Sequence, residues 1–290
     1  MDPVGHLANP RQKYQFVLNS ILPEISVHLP PPFPFDAKVQ ERLLGPFNKP
    51  GVELPMVTGK LDLRLLGFVR EPLPSSQRIL RDLAAAKTGC YYAASVSVSG
   101  GGKTTTLFDV AMQHFLLLLD CFKPGGSTKM NPTMDNNFQI FVTDLEELKA
   151  EAKGDLVQFR LQTQRRIRVE LFARFLYLRA LFQLDKDLTP QQYLLGQLNG
   201  GQKSIANLVD ELENLSSKSA QVLLNQVIQD LDMNYLKKDN GLVVGIDEAN
   251  TAMDFLFPGD FLSPNGNHRG LFTPINIVLV SMLIGVRRPQ

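Results

Sequence analysis

The chain has no tryptophan, only two cysteines, Cys90 and Cys121, and four histidines, His6, His28, His114 and His268, in unrelated contexts. These absences exclude a disulfide framework and a zinc site of ordinary ligand spacing. Lys and Arg total 30 against 29 Asp and Glu, a net charge of +1, which argues against a uniformly basic protein that coats nucleic acid. No serine sits in a nucleophile-elbow pattern. The start, MDPVGHLANPRQKYQF, lacks the basic opening and apolar centre of a secretory signal, so a cytoplasmic location is expected. Long apolar runs are missing too. Ile275 to Val286 is too short for the roughly 18 residues of a membrane span, and Phe115 to Leu119 reads as a piece of an amphipathic helix.

What is present is enough apolar sequence for a sizeable core, 44% of 290 residues. Proline is unevenly placed: 12 of the 19 lie in the first 75 residues, around the run Leu29-Pro30-Pro31-Pro32-Phe33-Pro34. Proline removes donors and blocks helix, so residues 1–75 read as a mostly irregular extension with one short helix near Gln12 to Leu22. A linker or tail is the plain reading, and a ligand for an aromatic groove is the alternative. From Ser75-Ser76 a serine cap precedes Ile79, Leu80, Leu83 and Ala84, a short amphipathic helix that opens a second region, 76–290.

Cys90 to Val110, CYYAASVSVSGGGKTTTLFDV, reads as a buried strand, a glycine loop and a helix. Gly102, Lys103 and Thr104 fit the end of the phosphate-loop pattern G-x-x-x-x-G-K-[ST], with Ser97 where the first glycine would stand. Such a loop turns successive backbone N–H groups toward one point and adds the positive end of a helix. A flexible glycine turn is the plain alternative. Leu107, Val110, Ala111, Phe115 and Leu118 recur at helical spacing after the loop.

Far downstream, GLVVGIDEAN, Gly241 to Asn250, is a continuous apolar run ending in Asp247-Glu248. That is the pattern of a central strand covered on both faces. A carboxylate at such a tip can serve Mg²⁺, and its neighbour can polarise a water. The alternative is that both carboxylates simply open a helix.

Between these segments, Phe138 to Thr143 reads as a second strand after a polar loop from Pro124 to Asn137. Leu156 to Leu184 reads as a long helix bearing Arg160, Arg165, Arg166, Arg168, Arg174 and Arg179. A solvated face explains these arginines more simply than contact with nucleic-acid phosphates. Two further amphipathic helices run through Ile205 to Leu215 and Val222 to Leu231, so that roughly a hundred residues of helix lie between the second strand and the acidic strand.

SVSGGGKTTTLFDV, VELFARFLYLRALFQLDKDLTPQQYLL, and LVVGIDEAN followed by RGLFTPI together resemble the nucleotide-hydrolase domain of crinkler-type proteins of oomycetes and fungi, over residues 76–290. The resemblance implies an α/β, three-layer P-loop domain with a parallel sheet and a large helical insertion. It also implies ATP or GTP with Mg²⁺, and an effector acting in a host nucleus. Ser97, Ser99, Gly100, Gly101, Gly102, Lys103, Thr104 and Thr105 would hold the phosphates, and Thr104 and Asp247 the Mg²⁺. Lys103 would offset charge, Glu248 would activate water, and Arg269 would assist. A non-hydrolysing interaction protein with a degenerate site is the alternative function. The sequence stops at Gln290, before the strand that would follow in that family, so the domain is expected to be incomplete at its C-terminus and Ile275 to Ile284 to lack partners and to promote self-association or capture of another protein.

Overall fold

The computed structural model describes residues 10–27, 73–85, 103–121, 136–198, 201–236 and 243–286. The strand expected from Cys90 onward and most of the glycine loop, including Ser97, Ser99, Gly100, Gly101 and Gly102, lie outside these residues.

Leu116–Asp120 form a strand, β1, buried along its whole length. It pairs in parallel with β2, Val243–Asp247, in a register that sets Leu116 opposite Val243 and Asp120 opposite Asp247. Alternation along β1 sends Leu117 and Leu119 into a large apolar core and Leu116 and Leu118 into a smaller one on the other face. Burial on both faces is why β1 reads as an uninterrupted apolar run. The protein is therefore a helix-rich α/β molecule with a two-stranded parallel sheet among the described residues. A short antiparallel hairpin, β3 at Phe261–Leu262 and β4 at His268–Arg269, stands apart from it.

The smaller core is built from helices α2, Pro74–Ala85, and α3, Lys103–Ala111, with α6, Pro190–Leu198. The larger is organised around α5, Leu156–Leu184, the helix expected from the sequence. Asp155 caps α5 by accepting from the N–H groups of Val157 and Gln158 at 3.0 Å each. Around α5 pack α1, Pro10–Val27; α4, Asn136–Glu151; α7, Gly201–Leu212; α8, Ser217–Asn234; and α10, Phe272–Val286. Tyr14, Val17, Leu18, Ile21 and Ile25 of α1 enter this core, so the helix expected near residues 12–22 is longer and buried along one face. A six-residue helix, α9 at Ala249–Asp254, follows β2.

Four expectations are corrected. Phe138 to Thr143 is helical, inside α4, because Phe138, Phe141 and Leu145 form a stripe at helical spacing that outweighs the β preference of its aromatic and branched residues. Phe115 to Leu119 does not continue α3: the helix ends at Ala111 and the leucines enter the sheet. Within the apolar segment expected to lack partners, Ile275, Val278, Leu279 and Met282 of α10 enter the large core.

The arginines of α5 are not a solvated face either. Arg166 bonds Asp144, Arg179 Nε donates to Asp230 at 2.5 Å, and Arg174 Nη1 reaches the Leu118 carbonyl at 3.4 Å. Arg160, Arg165 and Arg168 donate to Asp260 O, Glu213 O and Gln221 Oε1. α5 is enclosed by other helices, so its arginine stems pack in the interior and their heads must find protein acceptors.

Candidate functional site

Thr104, in the first turn of α3, and Asp247, the last residue of β2, are 143 positions apart, yet the Thr104 hydroxyl donates to Asp247 Oδ2 at 2.7 Å. Parallel pairing of β2 with β1 directs the end of β2 to the side from which α3 begins. Gly245 then decides how close the helix comes. A Cβ there would lie 2.5 Å from Leu107 Cδ1 and 2.9 Å from Leu116 Cδ2, so the absent side chain lets α3 rest directly on β2. The sequence reading did not single out Gly245, although a glycine inside an apolar strand is the signal of such an approach.

Asp247 is 9% exposed, and both carboxylate oxygens are occupied, Oδ2 by Thr104 and Oδ1 by the Glu248 N–H at 3.1 Å. Glu248 adopts the left-handed conformation, φ 51° and ψ 36°, as the chain turns from β2 into α9. That geometry costs a non-glycine residue on the order of 1–3 kcal/mol and gathers at working sites. Glu248 is half-buried and stands at the start of α9 without a side-chain bond to it, a place where a carboxylate also favours the positive end of the helix.

Asp120 was missed. It is 6% exposed, ends β1 opposite Asp247, and by strand alternation faces the α3 side with it. The signal was available, since LLLLD and VVGID are both apolar runs closed by an aspartate. Lys103 and Thr105 are half-buried in the same turn as Thr104. Arg269 is exposed on β4 and makes no bond to Thr104 or Asp247.

A hydroxyl and a carboxylate are the oxygen donors that Mg²⁺ takes, and Mg²⁺ commonly keeps waters and substrate phosphates as its other ligands. Thr104 and Asp247 fit that demand. No cluster of three His, Cys, Asp or Glu suited to a metal is found among the described residues, and a site shared with a phosphate needs none. Comparison with protein-family models, curated proteins and solved structures finds no match to this chain.

Proposed function

We propose that the protein binds a purine nucleoside triphosphate together with Mg²⁺ and hydrolyses it. The bond from Thr104 to Asp247 carries this reading, because it joins the helix that follows Gly-Gly-Gly-Lys to the acidic tip of a buried parallel strand. Nucleotide hydrolases of the P-loop type hold Mg²⁺ with such a hydroxyl and such an aspartate. The crinkler-type resemblance of the same segments points to the same function and to a three-layer fold around a larger sheet.

Within this reading, Lys103 and the N–H groups at the start of α3 bind the β and γ phosphates. Thr104 and Asp247 would hold the Mg²⁺, whose bound charge offsets that of the phosphates. Glu248, aimed by its left-handed backbone, orients a water and takes its proton. The water oxygen bonds the γ phosphorus as the bond to the β-phosphate oxygen breaks, leaving the nucleoside diphosphate and inorganic phosphate. The six arginines of α5 already donate to protein acceptors, so nucleic-acid phosphate is not proposed as a ligand.

The test is binding of ATP and GTP with and without Mg²⁺, with phosphate release followed in the same samples, for the wild type and Lys103→Ala. Binding that needs both Lys103 and Mg²⁺ supports the site. Turnover lost in Glu248→Gln with binding intact supports hydrolysis. Binding without turnover in the wild type would replace the hydrolase by a nucleotide-dependent interaction protein, and no binding by a folded wild type would end the reading.

A further inference from the structure

α3 is held from two sides, and only one of them belongs to the site just described. Thr104, Leu107, Phe108 and Ala111 recur at three and four residues and turn toward the sheet and the smaller core. Thr106 and Asp109, three residues apart, share a different face, since two positions along an α-helix turn the side chain by about 200°. Both are buried, at 5% and 4% exposure, and both bond the first turn of α2.

The bonds are specific. The Ser75 and Thr106 hydroxyls are 2.8 Å apart. Asp109 Oδ2 accepts from the Leu73 N–H at 2.8 Å, and the Ser76 hydroxyl, which donates to the Leu73 carbonyl at 2.7 Å, lies 3.4 Å from the same oxygen. The serine cap expected before α2 is corrected, since the helix begins at Pro74 and Ser75 and Ser76 lie inside its first turn; a helix start leaves N–H groups unsatisfied and favours negative charge, and the Asp109 carboxylate of α3 takes up the Leu73 N–H there. Pro74, in the first helical position, adds no further donor. Ile79 and Leu80 of α2 then pack on the core that contains Phe108 and Val110 of α3.

We infer that Asp109 is a positioning residue for nucleotide binding: by clasping α2 onto α3 it fixes the helix turn that presents Lys103 and Thr104. The inference rests on the nucleotide reading above and adds a residue that touches neither nucleotide nor metal. The clasp fixes the first turn of α2 against α3, the helix whose own first turn carries Lys103 and Thr104. With the clasp gone, α3 keeps its apolar packing on the sheet, α2 and α6 but loses the directional bonds that fix its first turn in the geometry phosphate contact requires.

The experiment measures Mg²⁺-ATP affinity, melting temperature and amide exchange across residues 73–85 for the wild type, Asp109→Ala, Asp109→Asn, Lys103→Ala and Asp230→Ala. Asp109→Ala is expected to weaken affinity about tenfold and to speed exchange in α2, the loss that follows when bonds to a charged group are removed. Asp109→Asn keeps an oxygen acceptor and is expected to restore most of both. Asp230→Ala breaks a link among α1, α5 and α8 and is expected to lower the melting temperature while leaving affinity unchanged. Should Asp109→Ala fail to fold, Thr106→Val removes the neighbouring link and is expected to weaken affinity in the same direction by a smaller factor. Wild-type affinity in folded Asp109→Ala, or in Thr106→Val should the alanine variant not fold, overturns the inference. So does equal weakening in Asp230→Ala. If the wild type binds no better than Lys103→Ala, the nucleotide reading itself fails, and the role of Asp109 falls with it.

Discussion

Thr104 and Asp247 meet at 2.7 Å although 143 positions separate them, and the bond ties the start of α3 to the end of β2. A hydroxyl held on a carboxylate is already placed to share a cation with it, so little rearrangement is needed when Mg²⁺ arrives with phosphate.

Thr104→Val is expected to weaken Mg²⁺-dependent ATP binding by about 1–3 kcal/mol while leaving Mg²⁺-free binding nearly unaltered, and Thr104→Ser to retain most of the affinity. Titration calorimetry with and without EDTA checks this. Equal loss in both conditions would place Thr104 on phosphate rather than on the metal.

Gly245→Ala is expected to destabilise the fold by about 1–3 kcal/mol, because the new methyl meets Leu107 and Leu116 at 2.5 and 2.9 Å and must push their side chains aside. Denaturant unfolding measures the cost. Since Leu107 lies one turn from Thr104, ATP affinity should fall as well, and a stable variant with wild-type affinity would show that α3 can shift freely.

Asp230 joins three helices: it accepts from Tyr14 of α1 at 2.9 Å, Arg179 of α5 at 2.5 Å and Asn234 of α8 at 2.6 Å. Arg179 also stacks over the Tyr235 ring at 4.4 Å. Asp230→Ala is expected to cost roughly 3 kcal/mol, since it leaves Arg179 without its carboxylate in a mostly buried place.

The same carboxylate makes stability depend on acid. Burial alone raises the Asp230 pKa, but the bonds from Arg179, Asn234 and Tyr14 together hold it below the ordinary aspartate range. Its stabilisation is therefore complete above the unfolded-state pKa and is lost as pH falls through the lower folded-state value. Unfolding free energy measured from neutral pH into acid should drop at the low end, and Asp230→Asn should flatten that drop.

Tyr177 and Tyr193 are buried with their rings 6.5 Å apart, and among the described residues neither hydroxyl has a hydrogen-bond partner. Burial pushes both phenols well above their usual pKa. Tyr177→Phe or Tyr193→Phe is expected to leave stability unchanged or raise it by about 1 kcal/mol, because an unsatisfied buried hydroxyl is removed without changing ring volume. A clear loss of melting temperature in either variant would mean that the hydroxyl has a polar partner.

Local pattern made much of this protein legible. The span of α5 read directly from its apolar repeat, Ile167, Leu171, Phe175, Leu178 and Phe182, whereas its Asp155 cap was not singled out. Lys103, Thr104, Asp247 and Glu248 were nameable as a candidate site because glycine loops and strand-tip acids are local features. Their meeting was not, since hydrogen bonds across 143 positions leave no trace in either segment alone.

Sequence by itself determined where the helix starts and the acidic strand tip lie, and that glycine and carboxylate chemistry would be available there. Tertiary structure alone decided that FLLLL enters a sheet while FQIFVT becomes a helix, that Ile275 to Met282 is covered, and that Asp120 stands beside Asp247. Short apolar runs satisfy strand and helix patterns alike, so the choice falls to whichever packing buries them with their backbone groups paired.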